Sequence, residues 1–315
     1  MRVYSIPNGV GAACAAGLFA ISSAAWAKST HDSWASGSPA PAAMESATAA
    51  TIGDKIYVVG GHNTTGVLAS LYVYDPAADS WSSGKPLPVA TNGGAALAYQ
   101  NVLYVFGGAT SDGKAQKTVF AYTPATGKWA RVTKLHIATI DPGAVIIGKT
   151  GYIVGGVTGN TRLNAVQLYD FATGKLKRGK SLLVGKSEPS VGVAGTTIIA
   201  AGGYTANGDT GDDEGLPAHA ANWSPLPAEP DPANASCTGV IKSKLYVMAG
   251  TKDGPPVAAS NAFAIATNSW ASLAVMPQSL GGAASAVYKG KLYCFGGADR
   301  DVGGNYFATT QIYTP

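Results

Sequence analysis

The sequence predicts an all-β fold, a six-bladed β-propeller made from one repeated unit. The first observation is the stretch Leu103 to Gly108 (Leu-Tyr-Val-Phe-Gly-Gly), which has five relatives along the chain. The second Gly of each falls at 61, 108, 156, 203, 250 and 297. Steps of 47 or 48 residues are what internal duplication produces. The second observation is that each unit resolves into four short segments of period two separated by turn residues, the pattern of a propeller blade. The third is composition: 41 Gly, 46% apolar and only 13% charged residues suit a compact, turn-rich β domain.

In chain order, Met1 to Ala27 reads as a secretory signal. Arg2 precedes an apolar, small-residue run from Val10 to Ala25, and Ala25-Trp26-Ala27 is a small-x-small cleavage site. The run is Gly/Ala-rich and short of the ~20 strongly apolar residues of a membrane span. An exported protein is therefore expected, in the periplasm or outside the cell, with no span after signal removal and one propeller over 28–315. Trp34 stands 27 residues before Gly61, the spacing that separates each later Trp from the next Gly pair. It reads as an outermost strand d without a blade of its own. The C-terminal Gln311 to Pro315 matches strand c, so pairing of the two ends is expected to seal the ring and leave no open sheet edge there. Deleting Ser29 to Gly37 should then destabilise the whole domain.

Within the second unit, strand a is Gly93 to Tyr99, strand b Val102 to Phe106, strand c Thr118 to Tyr122, and strand d starts at Lys128-Trp129. The Gly pair lets the backbone leave strand b through conformations barred to side chains. Small residues along strand a, such as Ala49, Ala96, Ala144 and Ser285, suit the crowded axis. The Trp of strand d reads as a buried body between blades, and truncating one to Ala would then cost ~3–5 kcal/mol.

These units resemble the kelch repeat, in which a hydrophobic strand runs into Gly-Gly, then a Tyr before a turn, then a Trp about seven residues later. The matching pairs are Tyr74 with Trp81, Tyr122 with Trp129, Tyr169 with Leu176, and Phe263 with Trp270. The third unit lacks its Trp, and the fourth has Leu216 in the Tyr place. The resemblance implies a closed propeller, a scaffold on which function belongs to loops. In outline, a signal and six blades, the chain is also similar to the periplasmic kelch mutarotases of sialic acid. No local motif carries their catalytic residues over. The copper radical oxidases resembling galactose oxidase have seven blades with Tyr, His and crosslinked Cys ligands, and no matching cluster is found.

The fourth unit runs Tyr204 to Gly215 without alternating apolar residues, and a poorly formed outer strand or surface loop is expected there. Its acidic run, including Asp209, Asp212, Asp213 and Glu214, does not have calcium-loop spacing and reads as solvated. Cys237 and Cys294 read first as buried free thiols, with a disulfide as the lesser alternative. The four His have no metal-ligand spacing, and neither a phosphate loop nor a nucleophile elbow is found. No cofactor is expected. Without the signal, 21 basic residues face 18 acidic ones with no long block of one sign, which argues against a nucleic-acid partner.

Antiparallel connectivity puts the loop entering strand a and the loop leaving strand b on one face of the disc. Sixteen residues before the second Gly stand Glu45, Asn92, Ile140, Ser187, Asn234 and Gly281, followed by Ser46, Gly93, Asp141, Glu188, Ala235 and Gly282. His62 and Tyr204 follow second glycines, and Arg300 comes shortly after Gly297. Glu45, His62, Asn92, Asp141, Glu188, Tyr204, Asn234 and Arg300 are thus the candidate ligand-binding residues, with Arg300 the one arginine expected on that face. A polar, somewhat acidic cup of this kind suits a small polar ligand, a cation or a partner's basic loop, hence a protein or carbohydrate ligand. With no arginine at the strand-a entrances, an anionic sugar is not the ligand expected. The same residue types also cap tight turns. A binding module is the expected function, and a sugar mutarotase the alternative.

Overall fold

The structure, a computed structural model, describes residues 31–299 and 304–315. The expected signal and Arg300 lie outside the described residues. Six four-stranded antiparallel sheets follow one another along the chain, and their innermost strands touch in a closed cycle. In blade 2, Asn92–Tyr99, Val102–Ala109, Thr118–Thr123 and Lys128–Lys134 lie side by side in that order. Ser33–Gly37 pairs with Thr310–Thr314, with Trp34 opposite Tyr313, and so completes blade 6. Asp32 pins this seam, accepting hydrogen bonds from the Tyr313 hydroxyl at 2.7 Å and the Ala274 N–H at 2.9 Å.

The need for glycine is visible at Gly60. Its φ is +70°, and a Cβ there would lie 2.2 Å from the Thr91 carbonyl oxygen of the strand entering the next blade. Blade 5 places Ala249 at the corresponding site with φ +55°, a left-handed conformation that costs an L-residue about 1 kcal/mol.

The division of labour between Tyr and Trp differs from expectation. Tyr74, Tyr122, Tyr169, Phe263 and Tyr313 are the buried rings between blades. Trp34, Trp81, Trp129 and Trp270 are only half-buried, and Trp223 alone is fully covered. Their indole N–H groups span the blade junctions, donating to the carbonyls of Ala274, Ser38, Lys85, Pro227 and, for Trp223, Lys180. Each half-buried Trp is thus a clasp with one wet edge, and its truncation should cost less than a core ring. In blade 3, where Leu176 replaces Trp, Phe171 stacks on Tyr99 of blade 2 with centroids 4.5 Å apart.

One further expectation is corrected. Cys237 and Cys294 form a disulfide, with Cα atoms 5.8 Å apart. Cys237 opens strand a of blade 5 and Cys294 lies in strand b of blade 6; the packing of adjacent blades brings these strands together, which spacing in sequence does not reveal. Of the two forms expected for the outer part of blade 4, the structure has the poorly formed strand rather than a loop alone: Glu214–Pro217 and Ser224–Pro225 are both short.

The acidic run of blade 4 is divided: Asp213 and Glu214 are buried, Asp209 is half-buried and Asp212 is exposed. Glu214 is buried with Lys186 (Nζ to Oε1 3.3 Å) and accepts from the N–H groups of Leu183 and Val184. Counting back three residues from the interblade ring position gives Leu71, Val119 and Val166 in blades 1 to 3, and Asp213 in blade 4. Counting back 21 from the second Gly gives Leu87, Leu135, Leu182 and Met276, but Glu229 in blade 5. Leu71 with Leu87, Val119 with Leu135 and Val166 with Leu182 each share one hydrophobic cluster. At the junction of blades 4 and 5 the equivalent pair is two buried carboxyl groups, 2% and 4% exposed.

Candidate functional site

The face expected to carry the site is built by one rule repeated six times. The residue sixteen before each second Gly bridges the residue just after it: Glu45 to His62, Asn92 to Ala109, Ile140 to Val157, Ser187 to Tyr204, Asn234 to Thr251 and Gly281 to Ala298. The next residues, Ser46, Gly93, Asp141, Glu188, Ala235 and Gly282, all have φ between +52° and +69°. Their backbones link blade to blade. Ser46 N–H donates to Gly282 O, Gly93 to Ser46, Asp141 to Gly93, Glu188 to Asp141, and Gly282 to Ala235, at 2.7–2.9 Å. This collar rims one mouth of the central channel, which is lined below by small residues, among them Ala96, Ala144, Thr48, Thr238 and Ser285.

The eight sequence candidates separate accordingly. Asp141, Glu188, Tyr204 and Asn234 come together around one cavity of about 600 Å³ over blades 3 to 5. Glu45, His62 and Asn92 do not line it. Glu45 is buried, approaches His62 Nε2 at 3.4 Å and lies over Gly282, while the His62 ring meets Tyr306 edge-on at 5.3 Å. Counting along one repeat position therefore finds the face but spreads the candidates around a ring, whereas the cavity draws on a single sector.

Sequence reasoning missed Arg162. A short hairpin after the third Gly pair, Val157–Thr158 with Thr161–Arg162, brings it into the cavity, where its guanidinium lies 5.0 Å from the centre of the Tyr204 ring. The Arg162 Nε is buried with no hydrogen-bond partner. The expectation that only Arg300 supplies an arginine to this face is thus corrected. The signal was available: Arg162 is the sixth residue after Gly156, and the sixth after Gly203 is Asp209. Asp209 accepts from the Asn234 side-chain amide, whose oxygen in turn accepts from Thr251 Oγ1 at 2.6 Å. These bonds fix the Asn234 wall. The cavity thus presents a cation on an aromatic face, the carboxyl groups of Asp141, Glu188 and Asp253, and an oriented amide.

The loop bearing Tyr204 is anchored from beneath. Gly202 N–H donates to Asp213 Oδ1 at 2.8 Å, and Lys186 Nζ donates to the Asp212 carbonyl. Asn261 Nδ2 donates to Glu229 Oε1 at 3.1 Å, while Asp213 Oδ2 and Glu229 Oε2 have no partner. Burial pushes Asp213 up to about 6, partly countered by the Gly202 N–H and the Lys186 charge. Burial, reinforced by the Asp213 charge, pushes Glu229 up to about 8. Among the described residues no three His, Cys, Asp or Glu side chains are grouped to hold a metal ion.

Comparison with known proteins agrees with the architecture. A family model described as the KLHDC2/KLHL20/DRC7 Kelch-repeats domain matches residues 14–136. With six blades and the ring sealed by Trp34, the assignment is decided. The chain is a six-bladed β-propeller of kelch type. The kelch fold is also that of the solved "Structure of YjhT", with a TM-score of 0.77 at 17% identity over 88% of this chain and 96% of the other. At that identity the likeness speaks for the fold. No curated protein sequence matches the chain.

Proposed function

We propose that this kelch propeller is an exported binding protein whose blade 3 to 5 cavity takes a small polar ligand, with a carbohydrate bearing an acidic group as the best fit. The observation that carries the reading is Arg162, held over Tyr204 with its Nε unpaired at the edge of a 600 Å³ cavity. A cavity of that size suits a mono- or disaccharide-sized ligand. A guanidinium is the side chain suited to a carboxylate, and an aromatic ring suits the apolar face of a sugar. The Asn234 amide and Ser187 would meet hydroxyl groups. Export is supported by the signal-like N-terminus and by the Cys237–Cys294 disulfide, a bond that persists in oxidising compartments. A thermal-shift and glycan-binding screen of the mature protein tests this. Binding of an acidic sugar that Arg162→Ala weakens at least tenfold supports it, and binding unchanged in that variant places the site elsewhere.

Catalysis in the same cavity, as a sugar mutarotase, is a second reading favoured by one observation: Asp141 and Glu188 line the same cavity as Arg162. Anomer exchange needs a proton taken from the anomeric hydroxyl and another given to the ring oxygen, work that two carboxyl groups can share. NMR exchange spectroscopy on acidic and neutral sugars distinguishes the readings. Exchange above the spontaneous rate that Glu188→Gln abolishes indicates an enzyme, and spontaneous rates throughout leave a binding protein.

A further inference from the structure

The opposite side of the disc carries a second cavity, set by a break in the same repeat. Four residues before the second Gly stand Tyr57, Tyr104, Tyr152, Tyr246 and Tyr293, in blades 1, 2, 3, 5 and 6. Four of these meet a Tyr ring from strand c of the following blade: Tyr57 with Tyr122 at 6.3 Å, Tyr104 with Tyr169 at 5.8 Å, Tyr246 with Tyr313 at 5.8 Å, and Tyr293 with Tyr74 at 5.9 Å. Tyr152 has Leu216 there instead. Where the ring is missing, a cavity of about 320 Å³ opens between blades 3 and 4, with Tyr152, Leu168, Ile198 and Leu216 among its walls. Its volume is that of a small-molecule site.

The rim differs from its counterparts in charge. The hydroxyls of Tyr74 and Tyr313 end on carboxylates, donating to Asp79 at 2.6 Å and Asp32 at 2.7 Å. Around the slot stand Arg178, Lys180 and His219, and among the described residues no Asp or Glu lines the cavity. Lys180 Nζ donates to the Ala220 carbonyl, tying blade 3 to the turn of blade 4. Arg178 is exposed on the short strand Leu176–Arg178.

We propose that this slot binds an aromatic anion, a ring of one or two six-membered cycles carrying a carboxylate. The ring would take the place that Tyr occupies at other junctions, against Tyr152, and the carboxylate would lie at Arg178 and Lys180. Stacked or edge-on ring contact and a charge-assisted hydrogen bond are the two interactions the site offers. The site is on another face from the cavity around Arg162 and stands or falls independently of it.

The test is calorimetric titration of the full mature protein with 2-naphthoate. Saturable binding is expected for the unaltered protein, with at least tenfold loss in Leu216→Tyr, which restores the residue used in blades 1, 2, 3 and 6 and fills the slot. The exposed double variant Arg178→Gln, Lys180→Gln should fold normally. It should weaken 2-naphthoate severalfold while leaving the neutral 2-naphthalenemethanol unchanged. No saturable binding of 2-naphthoate at millimolar concentration, equal binding by Leu216→Tyr, or equal loss of the neutral alcohol in the double variant would each overturn the proposal.

Discussion

Replacing Asp213 and Glu229 by the residues that blades 3 and 4 use at those positions, as Asp213→Val with Glu229→Leu, should convert a pH-sensitive junction into an insensitive one. Both carboxyls are raised by burial, to about 6 and about 8, against ordinary values of 3.8 and 4.5. Between pH 4 and 8 the folded chain therefore holds protons that the unfolded chain releases. Stability from this pair is full below about pH 4 and is lost as pH rises through the folded-state values. At 1.36 kcal/mol per pH unit, the loss is on the order of 3 kcal/mol from Asp213 and 5 kcal/mol from Glu229, together an upper bound of roughly 8 kcal/mol because part of the Glu229 rise is the Asp213 charge itself. Of the groups that face the pair, Lys186 and the Gly202 N–H on Asp213, and Asn261 and Lys252 on Glu229, reduce this without reversing it, while the Asp231 charge raises Glu229 further. Urea melts of both proteins at pH 5, 7 and 9 cancel every other titrating group by difference. The unaltered protein should fall behind the double variant progressively from pH 5 to 9. A difference that stays constant across that range would refute the reasoning.

Other consequences follow from the same geometry. Cys237→Ser with Cys294→Ser opens a loop of 57 residues, and a loss of ~4 kcal/mol by chain entropy should appear in equilibrium melts, matched by reduction of the unaltered protein. Trp81→Ala should cost ~1–3 kcal/mol, less than a buried ring, because the indole is half-buried and contributes one hydrogen bond to Ser38; a loss equal to that of Tyr74→Ala would contradict the clasp role. Removal of residues 31–37 exposes the edge of Thr310–Thr314 and strips Asp32 from Tyr313, so the melting temperature should drop for the whole domain in one transition. Ala249→Gly relieves a left-handed alanine and should raise stability by ~0.5–1 kcal/mol.

The propeller was legible because its cause is periodic. Gly108 and its counterparts mark a backbone corner that recurs at constant spacing, and Trp34 could be matched to Tyr313 by counting. What counting does not supply is contact between elements far apart in sequence. Cys237 and Cys294 meet only because neighbouring blades pack, and Asp213 looks solvated until its repeat position shows that it occupies an apolar slot. The same limit shaped the site. Asp141 and Glu188 were found from their place in the repeat, Glu45 and Asn92 were included by the same rule although they face another sector, and Arg162 was missed because it enters on a hairpin rather than at the repeated position. Departures from the repeat, at Leu216, Arg162, Asp213 and Glu229, carry most of what distinguishes this propeller from its scaffold.

The proposed function rests most directly on the Arg162 cavity. Calorimetric titration of the mature protein with an acidic monosaccharide identified in the glycan screen, alongside its neutral counterpart and the Arg162→Ala variant, measures it in one experiment. The account predicts saturable binding of the acidic sugar, at least tenfold weaker binding of the neutral one, and loss of that discrimination in Arg162→Ala. Equal affinity for both sugars, or discrimination that survives Arg162→Ala, would contradict it.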